Sequence, residues 1–182
     1  MALKATICKA ELEVADLDRG HFATHALTLA RHPSETDERM MVRLLAWALH
    51  ADDRLTFGRG LSTEDEPDLA LVALDGALDL WVEVGLPTAR EVRRACGRSA
   101  RVVVYAYGSS REVWWRAQGD ELASLAHLAV FALPAAATQE LAARADRTMT
   151  VQCTIQEGRL WWSDAAGALE IEPVVLKPFA RD

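Results

Sequence analysis

The chain has 182 residues, 51% of them hydrophobic and 26% charged, with only 10 glycines and 6 prolines. That balance fits one packed domain over residues 1–182 and excludes disordered, collagen-like and low-complexity designs. Acidic residues outnumber basic ones by 27 to 20, a net charge of -7, so any nucleic-acid contact must be local rather than spread over the whole surface.

Residues 3–14 alternate in polarity and favour strand, Asp16 to Gly20 supplies turn chemistry, and a second alternating run ends near Arg31, which together predict a hairpin. After Pro33, Ser34-Glu35-Thr36-Asp37 resembles a capping box. Met40, Met41, Leu44, Leu45 and Ala48 then recur at helical spacing to about His50. A short strand is expected over 55–60, followed by the acidic stretch Glu64 to Glu66, an apolar run over 69–74, the turn signal Asp75-Gly76 and a strand over 77–84. The remainder reads as a helix from Pro87 to Cys96, a buried strand from Arg101 to Tyr107, a helix from Ser110 to Gln118 and an apolar run from Ala126 to Leu133. A helix from Ala135 to Arg144 follows, then strands near 148–156, 159–163 and 168–172. The last strands are expected to pair with the first hairpin in a second, antiparallel sheet.

Cys8, Cys96 and Cys153 are too far apart for zinc-type pairs or a disulfide framework. The first residues carry no targeting pattern, and no apolar run reaches about 18 residues, so a cytoplasmic setting without a membrane partner is expected.

Pro67 to Gly85 carries the chemistry. With a two-residue turn at Asp75-Gly76, paired positions sum to 151 and Asp68 stands opposite Glu83. Two ionised carboxylates so placed repel unless a proton or cation lies between them, and Mg2+ or Mn2+, held by carboxylates and water, is the natural resolution. A frayed, solvated hairpin end is the other resolution. Glu38 precedes Met41 and Leu45 by three and seven residues, so it lies on the stripe that should face the sheet. There it should meet either the metal site or an arginine such as Arg43.

Pro67-Asp68 followed by a hairpin and WVEVG is similar to the active-site signature of the PD-(D/E)xK nuclease superfamily. More closely, ARHPSETDERMMVRLLAW, DEPD, DLWVEVGLP and ADRTMT resemble the YaeQ family over nearly the whole chain. The resemblance implies an α/β fold: a mixed-sheet, restriction-endonuclease-like core of a helix, three strands, a helix and a fourth strand, with flanking helices and an extension from both chain ends. It implies a metal-dependent phosphodiesterase acting on nucleic acid, or a catalytically impaired descendant, with Asp68 and Glu83 as metal ligands and Glu38 sharing the site. A non-catalytic regulatory or binding protein, engaging a protein or a nucleic acid on the same fold, is the alternative.

The motif lysine falls on Gly85, and no lysine occurs between residues 10 and 176. Only an arginine is left to stabilise phosphate charge, and an arginine does not serve as a general base. From Val84 to Arg116 seven arginines face two acids, Glu91 and Glu112, a local charge of +5. Arg93, with Arg90 and Arg94 nearby, is therefore the expected substitute, although the same arginines would also suit a solvated helix face. His21 and His25 lie in a strand without the glutamate of a zinc-protease motif and read as structural. Trp114-Trp115 and Trp161-Trp162 suggest base stacking or, more simply, one buried ring beside a covering one.

Overall fold

A computed structural model describes residues 4–59 and 65–180. Glu64 and the end of the strand expected over 55–60 lie outside the described residues. The first hairpin, β1 (Thr6–Asp16) and β2 (His21–Arg31), pairs without interruption from Thr6↔Arg31 to Asp16↔His21. Alternation drives it, with Cys8, Ala10, Leu12 and Val14 buried while Lys9, Glu11 and Glu13 face solvent. Helix α1 (Asp37–Leu49) is capped by Thr36, whose hydroxyl accepts from the Arg39 N–H. The cap is thus one residue pair later than a Ser34-based box. All nine residues from Met40 to Ala48 are buried, so α1 is a central helix, not a surface one.

Strands β3 (Leu55–Phe57), β4 (Leu69–Val72) and β5 (Leu78–Val84) form an antiparallel meander. Helix α2 (Ala89–Cys96), strand β6 (Arg101–Ala106), helix α3 (Arg111–Ala123) and strand β7 (Leu128–Ala132) then continue the sheet in parallel. After α4 (Ala135–Ala143) come β8 (Thr148–Gln156), β9 (Arg159–Asp164), β10 (Gly167–Ile171) and β11 (Val174–Lys177). The two sheets run β10-β9-β8-β1-β2 and β11-β7-β6-β5-β4-β3.

Two expectations are corrected. The sheet built from both chain ends is mixed, because β8 runs parallel to β1 from Lys9↔Thr148 to Asp16↔Ile155. A meander argument governs only β8, β9 and β10; the chain reaches β8 from a helix, which frees it to enter beside β1 in the same direction. Strand β11, antiparallel to β7, was not expected, since four residues between Pro173 and Pro178 carry too little pattern. Flanking prolines suit this edge position.

The layers follow from which faces are buried. Leu80, Val82 and Val84 of β5 and Val103 and Tyr105 of β6 share one core with α1, α4 and the inner face of the other sheet. Trp81, Val102, Val104 and Ala106 pack with α2 and α3 on the opposite face. Helix α1 is therefore enclosed between two sheets, and its two ends become the only places where its polar groups meet the outside.

Candidate functional site

The hairpin turn differs from the expected one, yet the register survives. Ala73 N–H donates to Ala77 O and Gly76 N–H to Ala73 O, which makes a three-residue loop with Gly76 at φ 87. Pairs next to the turn sum to 150, as in Val72↔Leu78; an irregularity there restores Leu71↔Leu80, Ala70↔Trp81 and Leu69↔Val82, all summing to 151. Asp68 immediately precedes this ladder, with its N–H on Val82 O at 3.0 Å and its carbonyl accepting from Gly58 N–H at 2.8 Å. A Cβ at Gly58 would overlap the Pro67 carbonyl oxygen, so glycine is what lets this segment approach.

Asp68 is 4% exposed. Its Oδ1 accepts from Arg39 Nη2 at 2.5 Å, and its Oδ2 from the Val84 N–H at 2.8 Å, one residue beyond Glu83. Glu83 accepts from Trp81 Nε1 at 2.9 Å. Burial, and then the Asp68 charge, push the Glu83 carboxyl up to about 8. Burial also raises Asp68, against the pull of Arg39 and the Val84 N–H. The two acids thus act on each other, although each side chain has its own hydrogen-bond partner.

The acids and bases of α1 extend the site. Arg39 also donates to Glu35 Oε1 at 2.9 Å, and Glu35 receives Arg43 through Nε at 2.7 Å and Nη2 at 2.8 Å. Arg43 is fully buried, lies over the Phe57 ring and donates to Ala30 O. Its Nη1 is a buried side-chain atom without a partner among the described residues. Glu38 turns to α4 instead and accepts from the Thr138 hydroxyl at 2.8 Å. Burial pushes the Tyr107 hydroxyl up to about 12 against the pull of Arg39, with smaller upward contributions from the charges of Glu38, Asp68 and Glu35.

Sequence spacing therefore anticipated the β4–β5 register, but several of the expected side-chain partners differ. Arg43 meets Glu35, not Glu38. Arg93 is exposed and pairs with Glu121 of α3 at 2.5 Å, while Arg90 is exposed and Arg94 reaches Asp65. A solvated α2 turns these arginines outward, and the charge that α2 sets beside Glu83 is the acid Glu91. The cation beside Asp68 is Arg39, which the sequence reading missed. Its signal was available: Glu35 and Arg39 are four apart across a helix start, the spacing of a helical ion pair.

Gly85 sits at φ 117, a conformation that L side chains rarely adopt, and its N–H donates to Tyr105 O at 3.0 Å. A lysine there would strain the backbone. Among the other candidates, His21 and His25 bond to each other, Nε2 to Nε2 at 2.9 Å. Trp114 and Trp162 are buried with their indole N–H groups on Pro87 O and Asp164, while Trp115 and Trp161 are partly covered. All three cysteines are free, and no described helix is long and apolar enough to cross a membrane.

Among the described residues no group of three or more His, Cys, Asp or Glu is arranged to hold a metal ion. Two carboxylates alone would leave an ion such as Mg2+ to take its remaining oxygens from water and substrate. Each carboxylate oxygen of Asp68 keeps a lone pair beyond its present hydrogen bond.

A family profile described as YaeQ protein matches residues 1–173. The chain is 52% identical over 173 residues to the Salmonella typhi protein named "Uncharacterized protein YaeQ", covering 94% of this chain and 96% of that one. The Escherichia coli (strain K12) protein of the same name is 49% identical over 172 residues, covering 94% and 95%. The crystal structure of the YaeQ protein from Xanthomonas axonopodis pv. citri superposes with a TM-score of 0.92 at 46% identity, over 97% of this chain and 99% of that one. That of the Pseudomonas syringae YaeQ protein gives 0.92 at 38% identity, over 96% and 97%. Sequence and architecture agree along almost the full length, and the chain belongs to the YaeQ family.

Proposed function

We propose that this protein is a metal-dependent phosphodiesterase acting on nucleic acid, built on a restriction-endonuclease-like core, with Asp68 and Glu83 as ligands of Mg2+ or Mn2+. The observation that carries the reading is local. The β4–β5 register brings Asp68 against the end of β5, so that it holds the Val84 N–H beside Glu83 while α1 delivers Arg39 to the same carboxylate. The order α1, β3, β4, β5, α2, β6 supports the nuclease-like core, being a helix, three strands, a helix and a further strand. A reducing cytoplasm is the compartment in which three free thiols are at home.

When bound, such an ion supplies Lewis acidity at a phosphate oxygen and lowers the pKa of water. The protein's own groups do the rest. Asp68 is oriented by two donors from different elements, which fixes its rotamer before any ligand arrives. Glu83 holds a proton near neutrality and can exchange it for a cation. Arg39 supplies positive charge beside Asp68, in place of the lysine that Gly85 cannot offer, and would orient phosphate oxygens without serving as a base.

One arrangement favours the second reading, a non-catalytic binding protein. Arg39 already bridges Asp68 and Glu35, so part of the site's negative charge is met from within. A single pair of measurements separates the two. Titration calorimetry with MgCl2 and MnCl2 is expected to show binding that disappears in the Asp68→Asn, Glu83→Gln double variant. A screen over single-stranded, double-stranded and structured nucleic acids is expected to show cleavage lost in the same variant. No heat at millimolar metal and no variant-sensitive cleavage would leave the binding reading in place.

A further inference from the structure

The other end of α1 opens on a cavity that the phosphodiester chemistry does not use. It has a volume of about 220 Å3 and lies between the two sheets, walled by Leu49, Val103, Tyr105, Phe131, Ile155 and Phe179. Tyr105 and Phe131 stack on each other with centroids 5.4 Å apart, so the wall carries two adjoining aromatic rings. At the edge of these rings, the Tyr105 hydroxyl and His50 Nε2 share a hydrogen bond of 2.8 Å. His50 Nδ1 has no hydrogen-bond partner among the described residues.

The charged groups of the rim are already committed. Asp16 accepts from the Asp18 and Arg19 N–H groups and from Arg19 Nε, and Arg19 donates to Ala51 O. Asp18 accepts from the N–H groups of Glu157 and Gly158. A charged ligand therefore finds no counter-ion waiting, whereas an uncharged one finds apolar walls and one hydrogen-bonding edge. Size agrees, because an engineered apolar cavity of about 150 Å3 already accepts benzene.

We propose that this cavity binds a small neutral aromatic molecule of one or two fused rings, packed against Tyr105 and Phe131 and hydrogen-bonded at the His50–Tyr105 edge. Such sites combine mostly apolar lining with a few placed polar groups. The site stands at the opposite end of α1 from Arg39, so it is independent of the carboxylates.

The test uses phenol and indole as probes and benzoate as the charged comparison, followed by ligand-detected NMR and calorimetry on the intact protein. Phenol and indole are expected to bind more tightly than benzoate. Leu49→Trp, which sets a large ring against the cavity, is expected to weaken both at least tenfold. Tyr105→Phe is expected to weaken phenol roughly fivefold, the loss of about one hydrogen bond. No binding of phenol or indole at 10-fold excess over millimolar protein, about 10 mM, or equal binding in a folded Leu49→Trp variant, overturns the proposal. Should Leu49→Trp not fold, the wild-type His50 ring resonances decide: they shift on phenol addition if the site is real, and stay fixed if it is not.

Discussion

The two ends of α1 solve one problem in opposite ways. At its start, Glu35, Arg39, Arg43 and Asp68 form ion pairs, at distances from 2.5 to 2.9 Å. At its end, burial keeps His50 neutral, pushed down to about 3, on an uncharged Tyr105. Ion pairing retains chemistry at the cost of desolvation, whereas neutralisation gives up charge and leaves an apolar surface. That difference is why a cation and a phosphate are proposed at the first end and an uncharged ring at the second.

The most direct way to break the charged end is to remove its buried cation. Arg43→Met leaves Glu35, itself buried, facing Arg39 alone. Removing one partner of a buried pair costs about 3–5 kcal/mol, and urea unfolding of Arg43→Met is expected to show a loss of that order. Arg43→Met with Glu35→Leu is expected to recover most of it, since Arg43 Nη1 is unpartnered and the native pair is not fully satisfied. A double variant as weak as the single one would mean that the arginine's packing over Phe57, not its charge, is what matters.

Titration sharpens the contrast, because the two ends respond to pH with opposite sign. Glu83 is raised to about 8. In metal-free buffer its contribution is complete below the unfolded value near 4.5 and is lost as pH rises toward 8, since the folded state then binds the extra proton. His50 is lowered from 6.5 to about 3. Its contribution is present above 6.5 and is lost as pH falls toward 3, because the unfolded chain takes the proton first. Each is worth on the order of 5 kcal/mol at most. Stability measured by urea from pH 5 to pH 8 is expected to fall less steeply in Glu83→Gln, and from pH 6 to pH 4 to fall less steeply in His50→Gln. Unchanged slopes in either variant would show that the group titrates normally in the folded protein.

How far the sequence exposed these two ends follows from the range over which each signal acts. Alternation in β1 and helical spacing in α1 are local and strong, so their boundaries were readable to within a few residues. Asp68 and Glu83 were readable because a turn links their strands; even there, the loop at Gly76 and the irregularity near Val72 are two departures that cancel. Arg39 was readable as the partner of Glu35, four positions away, but not as the partner of Asp68, 29 positions away. Tyr105 and His50 are 55 positions apart and meet only once β6 is laid beneath the end of α1. The direction of β8 was lost for the same reason, since no local pattern distinguishes parallel from antiparallel entry.

A smaller effect tests whether Glu38 belongs to the charged end. Its recorded hydrogen bond is to Thr138 in α4, not to Asp68. Thr138→Val removes that donor while keeping the shape, and is expected to cost about 1 kcal/mol in thermal or urea unfolding, with metal affinity unchanged. A change in affinity comparable to that of Asp68→Asn would instead make Glu38 part of the ligand set.

The smallest effect belongs to the arginine that spacing favoured. Arg93 is half exposed at 52%, and its partner Glu121 is exposed as well at 56%. Solvent screens such a pair, so Arg93→Ala is expected to alter stability by no more than about 0.5 kcal/mol and to leave metal binding and any cleavage as in the wild type. Arg39→Met removes the positive charge that meets Asp68, so its loss is expected to raise the Glu83 carboxyl further, to leave the two acids unopposed for a cation, and to weaken phosphate binding. Comparing the two variants in one calorimetric series assigns the positive charge to α1 or to α2. If Arg93→Ala impairs phosphate binding more than Arg39→Met does, the charge that matters lies on the solvated helix, and the buried start of α1 is only scaffolding.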